Sequence, residues 1–158
     1  MTYYVWPIFW MVVIFLFSTD AGSFANTSHL IEPVVRFFVP HITRHEILRV
    51  HFWIRKLAHF TEYAILSHLW FTALNRGKPR WSFTHAATAT LVSVLYAAMD
   101  EYHQIFVPSR TPSFTDVGID ATGVLASQIY HFIRRWRPSG LTVSPATPEP
   151  SQEGLDEK

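Results

Sequence analysis

The reading of this chain turns on residues 99–123, "MDEYHQIFVPSRTPSFTDVGIDATG". This stretch joins two apolar runs, yet it holds Asp100, Glu101, His103, Arg110, Asp116 and Asp120. The whole chain is 49% hydrophobic and 16% aromatic, and its 16% of charged residues are too few for an ordinary soluble surface. The composition points to lipid as the solvent. It contains no cysteine, which excludes a disulfide framework, a thiolate metal site and a cysteine nucleophile. The formal net charge is +1 with no long basic run, so no nucleic-acid partner is expected.

Working outward, four segments approach the about 20 mostly apolar residues that cross a bilayer core about 30 Å thick. They are residues 3–18, 53–74, 81–99 and 114–133. The expected fold is an all-α membrane protein, a compact bundle of four transmembrane helices forming one domain over residues 1–137. The first outer loop, residues 19–52, contains "HLIEPVVRFFVP" and "RHEILRVHFWI". Their near-helical apolar spacing predicts short interfacial helices, with a flexible loop as the equal alternative. The tail, 138–158, is rich in Pro, Ser, Thr and Glu and is expected to be disordered on the cytoplasmic side. Ser23-Phe24-Ala25 has the small-x-small form of a cleavage site, but the opening residues carry no Lys or Arg, so the first segment is expected to remain as a helix. Arg76, Lys78 and Arg80 follow the second segment, and Arg134, Arg135 and Arg137 follow the fourth. Basic residues collect inside, which places both termini in the cytoplasm and residues 19–52 and 100–113 outside. Small residues four apart, at Ala89, Ser93 and Ala97 and at Gly118, Thr122 and Ala126, are expected to line helix contacts.

In "RKLAHFTEYAIL", Lys56, His59, Glu62 and Tyr63 stack along one helical face. By this topology that polar stripe meets the 100–120 cluster at the outer leaflet. A charge at membrane depth costs several kcal/mol unless paired or hydrated, so such residues are site candidates; the plain alternative is that they only pair to hold the bundle. Three chemistries are open to them. Lys56 and Arg110 can hold a phosphate or carboxylate. His59, His103, Glu62, Asp100 and Asp116 can ligate a divalent ion, but no tight spacing such as HExxH is present and no metal is assigned. His103 or His59, backed by a carboxylate, can move a proton. Of the other histidines, His29, His41, His45, His51 and His131 are expected to be solvated, and His68 and His85 to hydrogen-bond within the bundle.

"RKLAHFTEYAIL", residues 99–123 and the order of the four spans resemble the VanZ-like family of bacterial membrane proteins. The second motif carries most of the likeness: Asp100-Glu101, His103-Gln104, the turn from Pro108 to Arg110, then Asp116 and Asp120 before Gly123. Lys56, His59, Glu62 and Tyr63 match the first motif, and "FLFST" at 15–19 is similar to the opening helix. The resemblance spans residues 8–133. Arg55 departs from it, standing where many relatives have an acidic residue. The family is named for a member linked to low-level resistance to the glycopeptide teicoplanin. The resemblance implies a multi-pass protein of the bacterial cytoplasmic membrane with a polar pocket facing the outer leaflet. The pocket is expected to bind or modify an anionic lipid or lipid-linked envelope molecule, with a bearing on glycopeptide susceptibility. In that reading His103, Asp100 and Glu62 are the candidates for proton transfer or orientation. Lys56, His59, Tyr63, Glu101, Gln104, Arg110, Asp116 and Asp120 are the candidates for ligand binding. No cofactor is indicated. The alternative is a non-enzymatic partner or assembly factor, whose ion pairs are structural and whose small-residue faces bind another protein or a second copy.

Overall fold

The computed structural model describes residues 2–19, 24–78, 80–108 and 113–135. Arg110, the Ser23 end of the cleavage-like site and the 138–158 tail lie outside the described residues. After a 3-10 turn at Thr2–Tyr4, the described residues form five helices: α1 (Val5–Ser18), α2 (Phe24–Phe38), α3 (Arg44–Leu74), α4 (Phe83–Gln104) and α5 (Phe114–Arg135). The all-α expectation holds, with α1, α3, α4 and α5 covering the four apolar segments.

Helix α3 decides the geometry. Thr43 and Glu46 form a capping box, each side chain hydrogen-bonded to the other's backbone N–H. No Gly or Pro interrupts residues 44–74, so nothing stops the helix for 31 residues, or about 46 Å. The expected second interfacial helix, "RHEILRVHFWI", is therefore the first third of α3 and not a separate element. Only α2 stands alone in the first loop. Past Leu74, Arg76 and Gly77 take positive φ (50° and 71°), the left-handed turn that glycine accepts without strain. Asn75 ties that turn: its amide donates to the Arg80 carbonyl at 2.6 Å and its Oδ1 lies 2.6 Å from Nδ1 of His85.

Helix α4 continues past Met99 to Gln104. Asp100, Glu101 and Gln104 are thus buried in its last turn, not spread through an outer loop. Helix α5 then runs parallel to α3, its most extensive neighbour. Successive contacts climb both helices together: Lys56 with Asp116, His59 with Asp120, Ser67 with Val124 and Gln128, and Phe71 with His131. The crossing depends on Gly123, where a Cβ would overlap the backbone carbonyl of Phe60. Helix α1 is docked on α3 by Trp10 Nε1, which donates to the Glu62 carbonyl at 2.9 Å, and on α4 by Tyr96 Oη, which donates to the Met11 carbonyl at 2.7 Å. Ile14, Tyr63, Leu66, Ala97 and Val124 form the core between them.

Two expectations need correcting. Ala89, Ser93 and Ala97 are buried as expected, but Gly118, Thr122 and Ala126 face outward, with nothing within 4 Å of a Cβ placed on Gly118. The inward face of α5 is occupied by Asp116, Asp120 and Gly123, offset from the small-residue stripe. His51 and His131 are buried, not solvated; His131 stacks between His68 and Phe71.

Several acidic groups are inside and many large apolar side chains outside. Asp116 and Asp120 are 2% and 1% exposed, while Phe114 and Ile133 on the same helix are 98% and 71% exposed. Among the described residues no helix is long and apolar enough to cross a membrane: α1 is apolar but has only 14 residues, and α3 and α5 carry ionisable groups within their length.

Two outcomes check this architecture. Gly123→Ala must push α5 off Phe60 and is expected to cost about 1–3 kcal/mol of stability, measured by denaturant unfolding; Gly118→Ala is expected to be neutral or better. The second concerns the α3 cap. The Thr43 backbone N–H, then its hydroxyl, holds the Glu46 carboxyl below its ordinary value of 4.5. A lowered folded-state pKa means that the cap's contribution is complete above that value and is lost as pH falls through the lowered one. Hydrogen exchange at residues 45–48, corrected for intrinsic rate, is expected to quicken at acid pH in the wild type and to lose that step in Thr43→Ala.

Candidate functional site

The polar residues of three helices meet where α4 ends and α5 begins against the middle of α3. Asp116 lies in the first turn of α5, where the helix dipole favours a carboxylate. Its Oδ1 takes a short ion pair from Lys56 Nζ, and its Oδ2 lies 3.6 Å from Arg55. One turn on, Asp120 Oδ1 lies 3.2 Å from Nδ1 of His59. Spacings of three residues on α3 and four on α5 thus make two adjacent rungs between parallel helices. From α4, Gln104 accepts from Arg55 at 3.0 Å and donates to Asp100 at 3.1 Å. Glu101 accepts the Ser113 backbone N–H at 2.8 Å, tying the end of α4 to the start of α5.

Beside this cluster is a cavity of about 500 Å³. Its apolar lining is Ile14 and Phe17 from α1, Ile31 from α2, and Leu48, Phe52, Ile54 and Ala58 from α3. Its polar lining includes Ser18, Thr27, His51, Arg55, His59, Glu62, Asp100 and Gln104. Apolar pockets with a few convergent polar groups are the usual form of a small-ligand site.

The candidates from sequence divide into three groups. His59, Glu62, Asp100 and Gln104 line the cavity. Lys56, Glu101, Asp116 and Asp120 form the buried cluster behind it. Tyr63 and His103 stand apart. Tyr63 is fully buried in the core, its ring 6.5 Å from that of Tyr96, and His103 packs its ring 4.9 Å from Phe15 of α1. Arg110 lies outside the described residues. The reading from sequence missed Arg55 and His51, both on the cavity wall. A signal was there: 51, 55, 59 and 62 follow the i, i+4, i+8, i+11 spacing of one helical face, adjacent to the Lys56 face.

The VanZ-LLP1 family model, described as VanZ/LLP1, matches residues 3–134 of this sequence. The chain belongs to the VanZ/LLP1 family. The matched region takes in all five helices but for the last residue of α5, so the cluster and cavity belong to the family's domain. No curated protein and no solved structure matches the chain. The chemistry of this VanZ/LLP1 site must therefore be argued from its own atoms.

The pairings predict unequal costs. Asp116→Asn leaves two cations facing an amide and is expected to cost about 3–5 kcal/mol. Lys56→Met leaves Arg55 at Asp116 and is expected to cost less. Combined, the two substitutions are expected to cost less than the sum of the singles, because neither leaves the other's partner stranded. Unfolding of the four proteins, followed by circular dichroism, measures the coupling.

Proposed function

We propose that this VanZ/LLP1 protein is a multi-pass protein of the bacterial cytoplasmic membrane whose cavity takes an anionic lipid or lipid-linked cell-envelope molecule. The observation that carries this reading is the mixed lining of the cavity, with apolar side chains from three helices beside Arg55, His59, Glu62 and Asp100. A hydrocarbon chain suits the first set and a headgroup the second. The guanidinium of Arg55 offers the fork geometry that phosphate and carboxylate oxygens favour. Lys56 stands behind it, paired with Asp116. Glu62 and Asp100 are placed to orient the headgroup or exchange a proton with it.

Lipid surroundings are supported by the inverted distribution of polarity. Water would draw charge outward and apolar groups inward; here Asp100, Glu101, Asp116 and Asp120 are inside, and Trp6, Phe9, Val12, Leu16, Leu125 and Ile129 are half exposed or more. Helix α1 has 14 residues, about 21 Å, and a short helix is accommodated by local thinning of the bilayer. Helix α2, with Phe37 and Phe38 exposed, suits the interface. Arg76, Lys78 and Arg80 at the α3–α4 turn favour the cytoplasmic side. The cavity, near the other end of α3, then faces the outer leaflet, with both termini inside.

The test is a profile of lipids and lipid-linked envelope intermediates in a host lacking the protein, complemented with wild type, Arg55→Gln, Glu62→Gln or Asp100→Asn at equal abundance. A species that changes on deletion, is corrected by wild type and is not corrected by Arg55→Gln names the ligand. Full complementation by every variant favours the second reading, an assembly factor with structural charges. That reading has its own support: Lys56 with Asp116 and His59 with Asp120 satisfy each other, and the exposed stripe of Gly118, Thr122 and Ala126 is open to a second chain.

A further inference from the structure

We infer that the protein holds a divalent metal ion at His59, Glu101 and Asp116, one donor from each of α3, α4 and α5. A ring nitrogen and two carboxylate oxygens of these residues all lie within 4.8 Å of one another, and all three residues are buried. Metal–ligand bonds of about 2.0–2.2 Å put the donors around a tetrahedral ion about 3.3–3.6 Å apart, so the three side chains would close on one ion by drawing together by up to about 1.5 Å. The spacing 59, 101, 116 carries no motif, so only the fold reveals the set.

Three further observations point to a cation there. Glu101 Oε2 accepts the Ser113 N–H, but Oε1 is buried and accepts no hydrogen bond among the described residues. A buried carboxylate oxygen in that state is unfavourable by itself; an ion satisfies it. Next, Asp120 holds Nδ1 of His59, which leaves Nε2 to present its lone pair. A carboxylate behind a ligating imidazole is how metal sites fix the ring and raise its basicity. Last, four buried carboxylates, Asp100, Glu101, Asp116 and Asp120, face two paired cations, Arg55 and Lys56, among the described residues. That surplus of acidic groups is what a divalent cation offsets.

Lys56 competes for Asp116, but a carboxylate has about four lone-pair sites and the two cations leave room for another partner. One imidazole with two carboxylates suits zinc or manganese better than a soft ion such as Cu(I). The site stands without the lipid reading. Where that reading also holds, the ion sits behind His59 on the cavity wall and offsets acidic charge that would repel an anionic headgroup.

The test uses the purified full-length protein, stripped by chelation and titrated with Zn²⁺ by calorimetry and with Mn²⁺ by loss of the free-ion paramagnetic resonance signal. The wild type is expected to take up one ion per chain. Glu101→Gln, which keeps the side-chain shape, and His59→Ala are each expected to weaken binding more than about tenfold, and Asp120→Asn by about 10–100-fold. Glu46→Gln, at the far end of α3, is expected to change nothing. If neither ion binds the wild type, or Glu101→Gln binds as the wild type does, the inference is overturned; any bound ion then sits on other histidines. Should His59→Ala not fold, Glu101→Gln decides. Because the readout is the metal alone, the lipid profile can fail while this result stands, and the reverse.

Discussion

Two carboxylates on α5, Asp116 and Asp120, are buried beyond the reach of bulk water, and the packing around them is set by the need to give them partners. Unpaired charge in such surroundings is among the most destabilising things a protein can contain. Helix α3 answers with Lys56 and His59 at matching heights, which fixes the register of the two helices and makes them parallel. Gly123 lets the backbones approach closely enough at Phe60 for those side chains to reach. Helix α4, running the other way between them in sequence, must therefore end beside the start of α5, and this brings Asp100, Glu101 and Gln104 into the same cluster.

The same arrangement separates scaffold from cavity. Lys56, Asp116 and Asp120 pair across the helices; Arg55, His59, Glu62 and Asp100 line the cavity. His59 belongs to both sets, bonded to Asp120 on one side and lining the cavity on the other. Arg55 has a similar double role, reaching Asp116 and Gln104 from the cavity wall. Membership of the VanZ/LLP1 family covers this whole region.

Much of this was legible in the sequence. Helical spacing put Lys56, His59, Glu62 and Tyr63 on one side of a helix, and the 99–123 stretch concentrated the acids that face them. Both predictions concern local periodicity, which is a property of a single helix. What escaped was relational. Whether "RHEILRVHFWI" begins a new helix or extends one depends on the absence of any breaker before Leu74 and on the cap at Thr43. The small-residue stripe of α5 follows the same period as its carboxylate face, and spacing cannot say which of the two turns inward. Arg55 and Lys56 are neighbours in sequence but sit on different faces, so one lines the cavity and the other does not. The convergence of His59, Glu101 and Asp116 needed three helices in place.

The order of the pairing partners along the chain matters for how the molecule is made. Lys56 and His59 leave the ribosome well before Asp116 and Asp120, and domains are assembled from the N-terminal side during synthesis. The helix that carries the more awkward cargo is thus the last to arrive, and it meets partners already waiting. Its two acids need never be stored unpaired in an unfinished bundle. Reversing that order, as a circular permutation that placed α5 first would do, would leave the acids exposed to whatever basic group the growing chain offered next. The parallel run of α3 and α5, with α4 as the return stroke, is a topology in which vectorial synthesis and charge neutralisation proceed in the same direction.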